Sequence, residues 1–502
     1  MDSFTFPPLA ALFLTHFDDV KGQSVLYYSS LPDLSAENIE HTTLPSGLHI
    51  VEEDLVIFKH NGLNGVGLFR NKLRQEGDRG GRGRGRHMGV VGVVLVDADA
   101  SDLFILKSSL IQLYDQLEQQ SSPFASPSEE PSPTKKVMDA VWERYRGYHT
   151  KLEGKKEGTE ITRTQRLITE KGNVPAEHPV SFMPSLLGSL GPSIVPVYKA
   201  ALSGQRILLY SPPPLLPLAA LAWNIWASSL PPEEAEGGNG IEVSELLGNV
   251  GLMDMESLKV RKGGWVATTS DMIYKSHPAV YDLFIDLSST PLTTTPHPCP
   301  STLSTPSPII TSSATSPPST MTYSLAGLPL YRSLLLLASS PPSVHAGVNK
   351  EGGWWLLVYE VLERIWRVCV GVCGFAVGHG NVEGELRLED GAEDARLLSS
   401  AREEDLLDLL SEAASEENTT LNVTSEDELA RQGRLILRQL FHNTHHFYVH
   451  LLSVLASRPK EQQSIGQLND AEVKELTSLW DGKLEVVFWR EITRRWGVLF
   501  DP

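Results

Sequence analysis

Residues 194–230, IVPVYKAALSGQRILLYSPPPLLPLAALAWNIWASSL, constrain the fold more than any other stretch. Residues 194–202 mix apolar positions with Tyr198 and Lys199 and predict a short amphipathic helix. Ser203-Gly204 stops it, because glycine takes the left-handed conformation that helix ends favour. Ile207-Leu208-Leu209-Tyr210 is a continuous apolar run of strand length, which fits a strand buried on both faces. Pro212-Pro213-Pro214 ends the strand, since proline has no N–H to give a ladder. Pro217 fits the first turn of the next helix, where a missing N–H costs little. Residues 218–227 are rich in Ala, Leu and Trp and carry no charge, so this helix has no face for water.

Residues 263–287, GGWVATTSDMIYKSHPAVYDLFIDL, form a second unit. Trp265 to Thr268 read as a strand. Thr269, Ser270 and Asp271 offer side-chain oxygens to cap a helix. Met272, Ile273, Val280 and Tyr281 continue with Leu283, Phe284 and Ile285 as a further short helix or strand. Helix–strand–helix followed by strand–turn–helix predicts an α/β layer on a largely parallel sheet. Upstream, Leu12 to Thr15 and Val25 to Tyr28 flank Asp18-Asp19-Val20-Lys21-Gly22, a hairpin pattern. Leu55 to Phe58 and Val66 to Phe69 flank His60-Asn61-Gly62, with Asn-Gly as the turn. A strand follows at 90–96, and Leu103, Leu106, Leu110, Leu113 and Leu117 recur at helical spacing.

These segments carry a resemblance. GQRILLYSPPP with its Ala/Leu/Trp helix, then WVATTSDMIY ending in YDLFIDL, resembles the central module of the DENN-domain family, of the LCHN-type and related fungal branch. HIVEEDLVIFKHNGLNGVGLFRNK is similar to the longin-like first module of the same proteins. The resemblance covers residues 9–287 and implies a multidomain chain of mixed α/β and α+β class. Residues 8–120 are expected to form the longin-like module, with an Arg/Gly insert at 74–88. A linker and partial helix follow at 121–175, the central module at 176–287, and a Ser/Thr/Pro linker at 288–322. Residues 323–502 are expected to be mostly helical, with strong helices at 354–370 and 426–456 and an acidic insert at 383–425. The terminal Trp489 and Trp496, interleaved with Arg490, Arg494 and Arg495, depart from the family pattern.

Composition narrows the function. The 62 acidic residues outnumber the 43 basic ones, for a net charge of −19, so a general nucleic-acid binder with a basic face is disfavoured. The Arg/Gly run within 77–87 reads as a solvated loop rather than an RNA contact. Three cysteines in 502 residues imply a reducing compartment and no disulfide framework. No basic segment precedes the apolar 9–14, so no secretory signal is read. No apolar span of membrane length is evident, the nearest being the charge-interrupted 354–377. The expected location is the cytoplasm, with peripheral recruitment to vesicle or endomembrane surfaces left open.

No catalytic constellation emerges. The nucleophile elbow G-x-S-x-G is absent, and neither a P-loop nor G-x-G-x-x-G lies between a strand and a helix. Cys369 and Cys373 lack a second pair for zinc and read as buried thiols. His442, His446 and His450, with His445 beside them, share a helix face but lack an acidic third ligand, so no metal or cofactor is expected. Trp223, Trp226, Trp354, Trp355 and Trp366 read as core. Ser126, Ser132, Thr295, Ser307 and Ser316 precede proline and are candidate phosphorylation sites, each adding about −1.5 to −2 charges.

The resemblance implies an exchange factor for Rab-type small GTPases. Such a factor needs no covalent chemistry, only surfaces that stabilise the nucleotide-free partner. Candidate contact residues are Thr269, Ser270, Asp271, Arg261 and Lys262, with the loop 251–262, read as exposed polar positions. Two alternatives stand beside it: a silent DENN scaffold that binds a GTPase or trafficking complex, and a GTPase-activating subunit using an exposed Arg70 or Arg74.

Overall fold

A computed structural model describes residues 5–18, 22–73, 86–120, 133–147, 158–169, 174–231, 243–290, 292–299, 308–313, 318–321, 323, 327–339, 425–457, 469–478 and 484–496. The N-terminal strands are β1 (Leu9–Asp18), β2 (Gly22–Ser30), β3 (Glu53–His60), β4 (Leu63–Leu73) and β5 (Arg86–Leu95). They pair antiparallel in the spatial order β3-β4-β5-β1-β2. Asn61 and Gly62 both have positive φ, 49° and 80°, and close the β3–β4 hairpin with His60 opposite Leu63. That is the twist-matched two-residue turn that Asn-Gly favours. Beside β1 the register steps from Leu14↔Tyr27 to Thr15↔Val25, so Leu26 is a bulge residue, and the bulge blunts the open edge of β2. Helix α1 (Ile39–Thr43) lies between the two hairpins in sequence, and α2 (Asp102–Ile105) and α3 (Lys107–Gln120) follow β5. Leu103, Leu106, Leu110, Leu113 and Leu117 are all buried, as their spacing requires.

The next helices are α4 (Pro133–Tyr145), α5 (Gly158–Thr169), α6 (Met183–Leu190) and α7 (Ile194–Leu202). Strand β6 (Arg206–Tyr210), helix α8 (Leu215–Ser228), strand β7 (Glu245–Asn249), helix α9 (Met255–Val260) and strands β8 (Trp265–Thr269) and β9 (Leu283–Asp286) follow. In space the order is β9-β6-β8-β7, parallel throughout, as the continuous apolar runs require. Side chains alternate between two cores. Ile207, Leu209, Val266, Leu283 and Ile285 point to the large core under α8. Leu208, Tyr210, Trp265, Ala267 and Phe284 point to a smaller core closed by Leu258, Tyr274, Val280 and Tyr281. Helix α8 begins at Leu215, three residues before the apolar pattern suggested, and every one of its residues is buried, Trp223 and Trp226 included.

Both halves belong to one eleven-stranded sheet, joined where β3 meets β7 at Phe58↔Gly248. Gly248 has φ +71°, and a Cβ there would lie 2.6 Å from the Ile57 carbonyl oxygen, so the joint needs glycine. Asp54 of β3 is the second tie. The N–H of Leu215 donates to Asp54 Oδ2 at 2.5 Å and that of Leu216 to Oδ1 at 3.1 Å. A carboxylate 161 residues upstream therefore caps α8, whose own N-cap residue, Pro214, has no side chain that can do so.

Helices α10 (Leu328–Ser339), α11 (Ser425–Ala456), α12 (Asp470–Ser478) and α13 (Leu484–Trp496) complete the described chain. The Tyr198 hydroxyl on α7 donates to the Leu440 carbonyl of α11 at 3.0 Å. Arg495, 2% exposed, donates to the Ala201 and Leu202 carbonyls at 3.2 and 2.6 Å and to Ser244 Oγ at 2.9 Å. The Arg/Trp tail is thus a buried helix that caps the end of α7. Trp489 and Trp496 sit in the core beside it.

Four expectations change. The segment 288–322 is not plain linker: β10 (Ile309–Ser312) pairs antiparallel with β9 and β11 (Ser319–Thr320) antiparallel with β10, extending the sheet, with Ile310 buried. Its Ile309-Ile310 pair supplies the apolar side chain that the surrounding Ser, Thr and Pro obscure. The 121–175 segment carries two helices, and Arg86, His87 and Met88 of the Arg/Gly insert belong to β5. The helical run Pro179–Leu202 is long and apolar enough to cross a membrane, but it is buried inside the fold. Residues 354–377, Cys369, Cys373, Trp354, Trp355 and Trp366, and 383–424 of the acidic insert, lie outside the described residues, as do Ser126, Ser132, Ser307 and Ser316. Thr295 is exposed.

Burial pushes the Asp54 carboxyl up to about 6 from 3.8, against the pull of the N–H donors of Leu215, Leu216 and Leu55. The folded state then holds this proton more tightly than the unfolded chain. The stability that this supplies is complete below about 4 and is lost as pH rises through about 6. Asp54→Asn removes the slope, so the wild-type melting temperature should fall relative to the variant between pH 4 and 6. Asp54→Ala, which leaves the buried N–H groups of Leu215 and Leu216 without acceptors, should cost about 2 kcal/mol or more below pH 4, and that cost should shrink as pH rises through about 6. Deleting residues 290–316 should also lower the melting temperature, because it removes β10 and the buried Ile310, at about 1.5–3 kcal/mol.

Candidate functional site

In an open parallel sheet, sites form at the carboxyl ends of the strands, where loops gather on a rigid frame. Here β7 leaves at Asn249 into the 3-10 turn Leu252–Asp254, and neighbouring β8 leaves at Thr269 into the 3-10 turn Met272–Ser276. Both turns expose apolar side chains: Leu252 49%, Met253 61%, Met272 45% and Ile273 47%. Four large apolar groups in water on turns that follow adjacent strands make this the candidate docking surface. The N-terminal half reaches the same place. Ser270 Oγ donates to the Ser46 carbonyl at 2.7 Å, and Asn249 Nδ2 to the Thr42 carbonyl at 3.3 Å. Ile50, four residues beyond Ser46, is itself exposed.

The polar residues named from the sequence lie beneath or beside this surface. Thr269 is fully buried; its Oγ1 donates to the Val250 carbonyl at 2.9 Å and accepts the Asp271 N–H at 3.2 Å. Asp271 is also buried and makes no capping hydrogen bond to its turn. Burial raises its carboxyl, and a hydrogen bond from Ser46 pulls the other way. These two residues are therefore brackets for the turns and not exposed positions, whereas Ser270 is half-buried. Arg261 pairs with Glu245, which also takes Lys59 Nζ at 2.7 Å. Burial alone would raise the Glu245 carboxyl; Lys59 and Arg261 together hold it below its ordinary value. Lys262 is exposed just beyond the end of α9. The loop 251–262 does contain Leu252 and Met253. Met272 and Ile273, expected on a further short helix or strand, lie on an exposed 3-10 turn, since apolar residues straight after a strand and turn signal also permit exposure.

Arg70 is not an exposed arginine. It is 7% exposed, holds Glu53 at 3.0 Å, Asp115 at 2.6 Å and Glu118 at 3.1 Å, and lies over the Tyr114 ring at 4.8 Å. Arg74 lies outside the described residues. On α11 the His442 and His446 rings meet edge to face at 4.7 Å, and burial lowers His450. Among the described residues no three His, Cys, Asp or Glu side chains gather as a metal would need. Arg70→Ala should destabilise the chain by about 2 kcal/mol or more, by leaving three carboxylates facing one another. Thermal melts will show that loss, and any fall in activity should follow the folded fraction.

The family described as DENN domain-containing protein 11 matches residues 12–297, more than half of the 502. Proteins of that name from Rattus norvegicus and Mus musculus are each 26% identical over 286 residues, covering 55% of this chain and 57% of theirs. The Xenopus laevis protein of the same name is 24% identical over 295 residues, covering 55% and 59%. An uncharacterized Saccharomyces cerevisiae protein, ANR2, is 24% identical over 311 residues, covering 56% and 58%. The matches thus span somewhat over half the length of these relatives. The matched region holds both halves of the sheet up to β9, the Asp54 cap and the two exposed turns, and the chain belongs to the DENN domain-containing protein 11 family.

Proposed function

We propose that this chain is a guanine nucleotide exchange factor for a Rab-type small GTPase, as DENN-domain proteins generally are. The observation that carries the reading is the apolar surface of Leu252, Met253, Met272 and Ile273, set on short turns where the N-terminal and central halves meet. In this reading the N-terminal half is the longin-like module and the helices after β11 form the C-terminal module. Exchange is catalysis by differential binding: the factor must hold the nucleotide-free partner more tightly than the loaded one. The switch segments of a GTPase are ordered by the γ-phosphate and Mg²⁺, so a surface that seats them in another arrangement competes with nucleotide. Apolar side chains suit that task because they keep no ordered charge of their own to satisfy. The chain works in the cytoplasm, on vesicle or endomembrane surfaces where its GTPase resides, and Thr295 is open to a proline-directed kinase.

A panel of purified Rab proteins loaded with fluorescent nucleotide tests this. The wild-type chain should accelerate release from one or a few of them. Leu252→Ser with Met272→Ser should slow release by about tenfold or more, the loss typical of central interface anchors. Its melting temperature should stay nearly unchanged, since both side chains are exposed. Binding to nucleotide-free Rab without accelerated release would assign the chain a scaffold role on the same surface.

A further inference from the structure

Gly251 is held by side chains at both of its backbone groups. Its N–H donates to Asp254 Oδ2 at 2.8 Å, and its carbonyl accepts the Tyr274 hydroxyl at 2.6 Å. The first bond closes the turn after β7 on itself. The second crosses from the turn after β8. Tyr274 is 0% exposed, its ring packed in the smaller core with Leu258, Tyr281 and Phe284. One phenol therefore anchors Met272 and Ile273, just before it in sequence, and reaches the residue just before Leu252 and Met253. The turn that carries it is a single 3-10 turn of five residues with no side-chain capping bond. Ser276 Oγ donates to the Ile273 carbonyl at 2.7 Å, and the far end is held by Lys275 Nζ on Asp286 at 2.8 Å and by the Tyr281 hydroxyl on the Lys275 carbonyl at 3.2 Å; the Tyr274 hydroxyl is the bond that crosses to the other turn.

We propose that Tyr274 is a positioning residue that locks the two apolar turns into one preformed docking unit. This rests on the reading that Leu252, Met253, Met272 and Ile273 seat the GTPase. A surface already fixed in its bound arrangement loses less conformational entropy on binding than one that must order first. Tyr274→Phe keeps the ring volume in the core and deletes only the cross-tie, leaving the Gly251 carbonyl without its donor.

The experiment compares Tyr274→Phe with Tyr198→Phe in the full chain. Tyr198 is the control: its buried hydroxyl meets the Leu440 carbonyl, Thr444 Oγ1 and Asn443 Nδ2 at the α7–α11 contact, away from the two turns in sequence and in hydrogen bonding. Hydrogen-exchange mass spectrometry of the free chains should show faster exchange in 250–256 and 270–276 for Tyr274→Phe alone. Affinity for the nucleotide-free Rab protein identified in the release screen should fall about three- to tenfold for Tyr274→Phe and stay unchanged for Tyr198→Phe, although both melt earlier. Unchanged exchange in the two turns overturns the proposal. So does an equal loss of affinity in both variants, which would make the effect one of global stability. If Leu252→Ser with Met272→Ser loses binding while Tyr274→Phe keeps it, the surface stands and the role of Tyr274 falls. If that double variant binds normally, the reading of the surface falls, and this inference with it.

Discussion

The burial of the Asp54 carboxylate at the head of α8 is the interaction on which the rest of the structure depends. Helix α8 is buried along its whole length, so the N–H groups of its first turn cannot turn to water. A helix start of this kind needs an acceptor, and a negative one suits the positive end of the helix dipole. The preceding residues, Pro212-Pro213-Pro214, contain no side-chain acceptor at all. The acceptor comes instead from the middle of the N-terminal sheet. Arg495 answers it at the other side, taking the last carbonyls of α7. The central α/β unit is therefore finished at both ends by charges that belong to distant parts of the chain. Neither charge is free to leave without exposing a buried polar group.

That construction suits the proposed role, in which surfaces do the work. Two short turns are poor platforms on their own, because few backbone hydrogen bonds hold them. Here they spring from adjacent parallel strands that are covered on both faces, and Thr269, Asp254 and Tyr274 tie them at Val250 and Gly251. Ser270 and Ser46 add a tie to the N-terminal half. The apolar side chains of Leu252, Met253, Met272 and Ile273 stay exposed above that buried frame. Rigidity and exposure thus come from the same packing, which is what differential binding of a partner requires.

Much of this was legible in the residues. The run Ile207 to Tyr210 is a strand with side chains in two cores, Asn61-Gly62 is a two-residue hairpin turn, and the five leucines from Leu103 to Leu117 line one buried face. Each is a local signal, set by neighbours two to four positions away. The candidate site was only half legible. Thr269 and Asp271 stood in the right place but as brackets, because a polar side chain after a strand looks the same whether its partner is water or the Val250 carbonyl. Arg70 illustrates the same limit: its three carboxylate partners lie 17, 45 and 48 residues away, and nothing beside it in sequence announces them.

The sequence by itself determined the elements and their two-sided burial, since hydrophobic period and turn chemistry act over a few residues. It also carried the order of motifs that marks the DENN family. Tertiary structure decided what lies between elements. It joined β3 to β7 in one sheet through Gly248, and recruited Ile309 to Ser312 from a Ser/Thr/Pro segment as a strand beside β9. It made Arg495 of the Arg/Trp tail a buried cap, and left Leu252, Met253, Met272 and Ile273 in water. The physical reason is common to all four. Whether a given side chain is buried, paired or exposed depends on groups brought within a few ångströms by folding, and that proximity is a property of the packed sheet rather than of any local pattern.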